Sequence, residues 1–166
     1  MIDHNVGRIQ ASLEDLGLAE NTIVIYSTDH GEFLGDHGLY LKGPIMYDGL
    51  LRVGLVMTGP GIPAGEVGAD PVSTLDLCAT FLDYAGGEKP PGIQGETLRP
   101  FLENKTSSRD VAHCEWNLEA VRCGVELHLR TIRTKSYKLT IEKTSGVGEL
   151  YDLINEPTEM DDRYND

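Results

Sequence analysis

One connection limits what this chain is able to fold around. Residues 26–43 read Tyr-Ser-Thr-Asp-His-Gly-Glu-Phe-Leu-Gly-Asp-His-Gly-Leu-Tyr-Leu-Lys-Gly, so carboxylates, imidazoles and an amine share one glycine-rich stretch. That is the composition of a site and not of a core. Ahead of it, Ile2, Val6, Ile9, Leu13 and Leu16 recur at intervals of four and three, which predicts one face of a helix ending near Gly17. Residues 22–27, Thr-Ile-Val-Ile-Tyr-Ser, then form a β-branched and aromatic run that predicts a strand of a parallel sheet covered on both faces. The polar groups are therefore expected at the carboxyl end of a strand, where open α/β sheets keep their ligand crevices.

The rest of the chain alternates in the same grammar and then changes character. Residues 53–58 read as a second buried strand, stopped by Gly59-Pro60-Gly61. Ser73 or Thr74 caps a helix through Tyr84 that presents Leu75, Cys78 and Leu82, and Gly86-Gly87 ends it. Residues 88–100, rich in Pro and Gly, are read as a connection. Beyond them, residues 111–118, 127–142 and 149–153 predict antiparallel strands, the middle one bent or folded into a hairpin around Lys135-Ser136. The class expected is α/β followed by antiparallel β.

Charge excludes some partners. With 14 basic and 27 acidic residues the net charge is -13, which repels nucleic acid and anionic membrane surfaces, so an anionic substrate needs local help. Part of the excess lies in the tail, where Asp152, Glu156, Glu159, Asp161, Asp162 and Asp166 face Arg163, and this end is expected to be solvated or frayed. A length of 166 residues suits one domain with a real core. There is no apolar run of the ~18 residues a membrane span needs, and Met1 leads into Asp3 and an amphipathic pattern with no signal-peptide character. Cys78, Cys114 and Cys123 lack C-x-x-C spacing and are expected to be buried free thiols; with His113 and His128 they match no zinc pattern.

Asp29 and His30 are adjacent, so on a regular strand their side chains point to opposite faces. They converge only where the strand has ended, and Gly31 permits that turn. The pair then offers a carboxylate and an imidazole to a metal; the alternatives are that Asp29 caps the next turn and that His30 is structural. Ca²⁺ takes roughly 6 to 8 oxygen ligands and Mg²⁺ an octahedral set, so two side chains complete neither. The imidazole leans toward Mn²⁺ without excluding the others. Glu32 and Asp36 lie near in sequence, but spacing does not select them. Lys42 either brings a point charge to sulfate or phosphate or is simply solvated, and His37 either protonates a leaving group or ties the loop together. From the residues alone the reading is an anion-and-metal site.

Thr28-Asp29-His30-Gly31-Glu32, Leu34-Gly35-Asp36-His37-Gly38-Leu39, Lys42-Gly43-Pro44 and Arg52-Val53 together resemble the C-terminal half of the sulfatase family. The likeness continues in order through Thr58-Gly59-Pro60-Gly61-Ile62, Thr74-Leu75-Asp76-Leu77, Arg130-Thr131-Ile132-Arg133-Thr134 with Tyr137-Lys138-Leu139, and Glu149-Leu150-Tyr151-Asp152-Leu153 before Glu156-Pro157. It implies part of an alkaline-phosphatase-like mixed sheet flanked by helices over residues 1–104, carrying the metal loop. A small antiparallel β subdomain with an acidic tail is implied over 105–166. It also implies Asp29 and His30 as ligands of a catalytic divalent metal, Ca²⁺ by family with Mn²⁺ or Mg²⁺ as alternatives. Lys42 is implied as the contact to the sulfate or phosphate group, and His37, by a looser match, as a second catalytic residue.

The departure from the family is as informative. Sulfatases attack with a formylglycine made from the Cys or Ser of a C/S-x-P-x-R motif, whereas here Cys78 is followed by Ala-Thr-Phe, Cys114 by Glu-Trp-Asn and Cys123 by Gly-Val-Glu. Nor are the family's N-terminal aspartate pair and arginine present, so Met1 is read as internal to a longer frame. The expectation is the C-terminal part of a hydrolase of sulfate esters, inactive alone. Alternatives are a phosphate or phosphonate ester hydrolase of the same superfamily and a non-catalytic module that binds an anion or partner. The expected partners are a small ester substrate and either a second copy or an N-terminal portion.

Overall fold

The computed structural model describes residues 1–104, 109–120 and 124–166. Helix α1 spans Ile2–Asp15, and Gly17 ends it in a left-handed conformation (φ 68°), with Leu18 N–H closing on the Leu13 carbonyl. Its apolar stripe exists as the periodicity predicts, yet α1 buries none of its residues. Strand β1 follows at Val24–Ser27.

Strand β1 pairs with β2, Leu55–Thr58, in an antiparallel register of Val24 opposite Thr58 and Ser27 opposite Leu55. This corrects the parallel arrangement expected from the apolar run. Side-chain character does not encode strand direction. The segment between the strands folds back through a single helical turn, α2 at Asp48–Leu51, so that β2 runs opposite to β1. Residues along β2 alternate between half-buried and exposed, the pattern of a ribbon covered on one face.

Helix α3, Leu75–Tyr84, starts where Ser73 Oγ accepts the Leu75 N–H and the Asp76 carboxylate accepts the Ser73 N–H at 2.8 Å. Asp76 is fully buried, and it also accepts the Glu96 N–H (2.9 Å) and pairs with Arg109. Thr80 accepts the Leu98 N–H at 2.9 Å. Two polar side chains thus stitch α3 to the Pro/Gly-rich connection, which ends at α4, Arg99–Asn104. Cys78 is exposed and Cys114 half-buried, which corrects the expectation of buried thiols, while Cys123 lies outside the described residues. On its strand Cys114 points to the covered side and His113 to solvent.

The remaining strands, β3 (Ala112–Leu118), β4 (Leu127–Arg133), β5 (Tyr137–Glu142) and β6 (Gly148–Asp152), form an antiparallel meander in chain order. The expected long middle strand is the β4–β5 hairpin. Its turn is held by Thr134 Oγ1, which accepts the Ser136 and Tyr137 N–H groups. Buried Thr131 and Thr140 sit opposite each other in register and share a 2.9 Å hydrogen bond.

The tail is not frayed. Asp162 accepts the Leu150 N–H (2.9 Å), Arg163 N–H donates to the Leu150 carbonyl (2.8 Å) and the Tyr164 hydroxyl donates to the Gly146 carbonyl (2.9 Å), so residues 162–164 cover the free edge of β6. Glu159 and Asp152 are buried. Phe33, Met46 and Leu50 on one side and Leu118, Tyr151 and Leu153 on the other supply core, and the Tyr47–Tyr151 ring pair joins the two at 6.0 Å. Among the described residues no helix is long and apolar enough to cross a membrane.

Candidate metal and anion site

Strand β1 ends at Ser27, so Asp29 and His30 lie beyond the pleat that would separate them. The His30 N–H donates to Asp29 Oδ1 at 3.0 Å, and Asp29 Oδ2 lies 3.5 Å from His30 Nε2. That N–H holds the exposed Asp29 carboxyl below the usual carboxylate range, with Lys42 adding to the effect.

His30 Nδ1 is 2.7 Å from the Gly31 carbonyl oxygen. A carbonyl only accepts, so Nδ1 carries the hydrogen; an ammonium only donates, so Nε2 faces Lys42 with its lone pair. Lys42 Nζ donates to that lone pair at 2.7 Å. The loop brings Lys42 there by folding on itself: Phe33 N–H donates to the Leu41 carbonyl (3.1 Å) and Gly35 N–H to the Leu39 carbonyl (2.7 Å). Leu34 (φ 51°), His37 (φ 50°) and Leu41 (φ 63°) all adopt left-handed backbone without being glycine. Such residues are uncommon and cluster at functional sites.

The four residues singled out from sequence separate into two groups. Asp29, His30 and Lys42 meet. His37 lies flat on Tyr47, ring centres 3.7 Å apart and planes 3° from parallel, and among the described residues no hydrogen bond or ion pair links it to the other three. Glu32 accepts the Leu34 N–H of its own turn.

An imidazole whose Nδ1–H is fixed by a carbonyl is the form that ligates a metal through Nε2, and a bound ion would take the lone pair that Lys42 Nζ occupies here. With the Asp29 carboxylate beside that nitrogen, the donor set suits two positions on a divalent ion. Among the described residues no cluster of three or more His, Cys, Asp or Glu side chains is arranged to hold one.

Sequence reasoning missed the groups that support the loop from below. Asp48, the first residue of α2, receives the Arg133 guanidinium (Nε 3.1 Å to both oxygens, Nη2 2.9 Å) and lies 3.6 Å from Lys138 Nζ. Lys138, 1% exposed, pairs with Glu159, whose other oxygen accepts the Asp48 N–H at 2.7 Å. Burial pushes the phenols of Tyr47 and Tyr151 up, and pushes up the Glu149 carboxyl as well. A faint signal existed in the alternation of Tyr137-Lys138-Leu139-Thr140, where the polar members turned out to face inward.

Residues 35–166 match the protein family described as N-sulphoglucosamine sulphohydrolase, C-terminal. The chain belongs to the sulfatase family. This sulfatase sequence is 36% identical over 165 residues to an N-acetylglucosamine-6-O-sulfatase of Bacteroides thetaiotaomicron, an alignment covering 96% of this chain and 29% of the relative. A solved structure of a protein in complex with its substrate D-glucosamine-2-N,6-O-disulfate superposes with a TM-score of 0.82 at 34% identity, over 99% of this chain and 34% of that one. The phosphonate monoester hydrolase of Silicibacter pomeroyi superposes with a TM-score of 0.82 at 27% identity, over 93% and 33%. The chain spans about 30% of the length of the curated sulfatases it matches and corresponds to their C-terminal portion. Its mixed α/β architecture, with sheets flanked by helices, is that of sulfatase C-terminal regions.

Proposed function

We propose that this chain is the C-terminal part of a hydrolase that cleaves sulfate esters at a divalent-metal site. Residues 1–104 carry the metal loop and residues 105–166 the subdomain that closes against it. The observation that carries the reading is the meeting of Asp29, His30 and Lys42, a carboxylate, a ligand-form imidazole and an ammonium within contact distance. Asp29 and His30 would hold the metal, which supplies Lewis-acid stabilisation of charge on the sulfate. Lys42 places a positive charge where negative charge develops on the transferred group. The nucleophile is supplied from outside these 166 residues, which contain no C/S-x-P-x-R run.

A phosphate or phosphonate ester is the second reading, favoured by the likeness to the phosphonate monoester hydrolase. The chemistry of the loop serves either tetrahedral anion. A non-catalytic anion- or partner-binding module is the third. The purified 166-residue protein is expected to show no turnover of an aryl sulfate, of glucosamine 6-sulfate or of an aryl phosphonate, with Mn²⁺ or Ca²⁺ supplied. Metal-dependent turnover above background would overturn its inactivity. Calorimetry tests the ligands: Asp29→Ala should abolish the binding of Mn²⁺ seen with the parent, and unchanged binding would remove Asp29 from the site.

A further inference from the structure

His37 stands apart from the other three site residues, and what it rests on runs through the molecule to the tail. Its imidazole is stacked on Tyr47, and the ammonium of Lys138 lies 5.7 Å from the centre of the Tyr47 ring and 5.6 Å from that of Tyr151. Lys138 is 1% and Glu159 4% exposed, so each charge depends on the other. Glu159 also accepts the N–H of Asp48, the residue directly after Tyr47, and so fixes the backbone on which the Tyr47 ring is mounted. Among the described residues the left-handed non-glycine positions are Leu34, His37 and Leu41 on the loop and Glu159 in the tail. A backbone of that kind persists only where its surroundings hold it. Strained residues therefore occupy both ends of one continuous series of contacts: His37, Tyr47, Lys138, Glu159.

We infer that Tyr47 and the buried Lys138–Glu159 pair are positioning residues for His37, so that the C-terminal tail sets the geometry of the anion loop. The catalytic meaning of this rests on the expectation, drawn from the family resemblance, that His37 is a second catalytic residue; the mechanical link does not. Tyr47 presents a rigid face that keeps the His37 ring in one plane, and Glu159 locks that face in place through Asp48 and Lys138. Arg133 on the Asp48 carboxylate secures the same point from β4.

The test is the position of the His37 ring resonances in a ¹H–¹³C spectrum of the 166-residue protein, identified by their loss in His37→Gln. A ring stacked at 3.7 Å displaces those protons upfield. Tyr47→Phe should keep the displacement, while Tyr47→Leu and Glu159→Ala should lose it, although Glu159 does not touch His37. Leu118→Ala, which weakens the sheet core without entering the series, should leave it unchanged. If Glu159→Ala does not fold, the double variant Lys138→Met with Glu159→Leu removes both charges at similar volume, and it too should release His37. An unmoved His37 in whichever of these variants folds would overturn the inference, as would an equal movement in Leu118→Ala. Titration with inorganic sulfate separates the two ideas. A resonance that follows Glu159 but ignores sulfate keeps the positioning series and removes His37 from the anion site; one that follows sulfate but ignores Glu159 does the reverse.

Discussion

A methyl group added to Gly31 would fall 1.9 Å from the Gly49 carbonyl oxygen and 3.1 Å from the Leu50 Cα, both backbone atoms. The φ of Gly31 lies outside the left-handed region, so space and not handedness demands glycine here. Its N–H donates to the Leu50 carbonyl (2.8 Å) and its own carbonyl takes the His30 Nδ1–H. One residue thus pins the loop to α2 and selects the tautomer of His30. Gly31→Ala should cost about 1–3 kcal/mol through overpacking, at roughly 2–4 °C of Tm per kcal/mol, and should weaken Mn²⁺ binding as well. Gly43→Ala, whose added carbon meets nothing within 4 Å, is the control expected to change neither. Thermal unfolding and calorimetry on the two variants decide it: equal behaviour would mean that the approach to α2 is not what shapes the site. The grouping of Asp29 and His30 with Lys42 was legible through the resemblance of the whole loop to a family motif, because each residue taken alone has an ordinary alternative as a cap, a structural imidazole or a solvated amine. The departure of His37 from them was not, because ring stacking on Tyr47 leaves no mark in residue spacing.

The elements were legible where periodicity alone decides and illegible where partners do. The stripe of α1 and the alternation along β3 both appear at their expected positions, since 3.6- and 2-residue periods are local properties. The direction of β1 against β2 depends on how residues 28–54 fold back, which no local pattern records. Similarly, the tail was read as solvated because its carboxylates have few basic neighbours in sequence, whereas the neutralising group of Glu159 is Lys138, two strands away on β5. The turn after β5 offers an element-scale prediction. Glu142 accepts the Ser145 N–H (2.6 Å), the Ser145 hydroxyl (2.7 Å) and the Thr144 N–H (3.1 Å), which lowers its pKa from the ordinary 4.5 to about 2. A carboxyl depressed in the folded state contributes stability that is complete above the unfolded value and is lost as pH falls through the folded one. Between pH ~4.5 and about 2 the Tm of the parent should therefore fall more steeply than that of Glu142→Gln. Parallel curves for the two proteins across that window would show that the turn does not depend on the carboxylate.

At the scale of the whole molecule, two forces act on any second copy of the chain, and they have opposite sign. Helix α1 buries no residue and leaves Ile2, Ile9 and Leu16 more than half exposed. Beside the ribbon of β1 and β2, a groove of mixed lining, with Ile23, Ile25, Met57, Phe81 and Ala85 beside Asn21, Thr80 and Tyr84, opens toward α3. Contiguous apolar surface beyond a few hundred Å² drives association, and among the described residues no third strand pairs with the ribbon of β1 and β2. Against this stands the net charge of -13, which makes copies repel at long range. Salt acts on the second force far more than on the first: the Debye length is about 30 Å at 0.01 M and about 8 Å at 0.15 M, while apolar burial is not screened. The 18.2 kDa chain should accordingly be closest to a monomer in dilute buffer of low ionic strength. Its mean mass in static light scattering should rise with protein concentration, and rise further when salt is added at fixed concentration. Substituting Ile9→Glu and Phe81→Glu together, one on each exposed apolar face, should suppress the rise without unfolding the sheet of β3 to β6. A mass that stays at the monomer value from low to high salt would mean that these faces are too small or too dispersed to hold two chains together. A mass that falls on adding salt would place the contact on charges and overturn the apolar account.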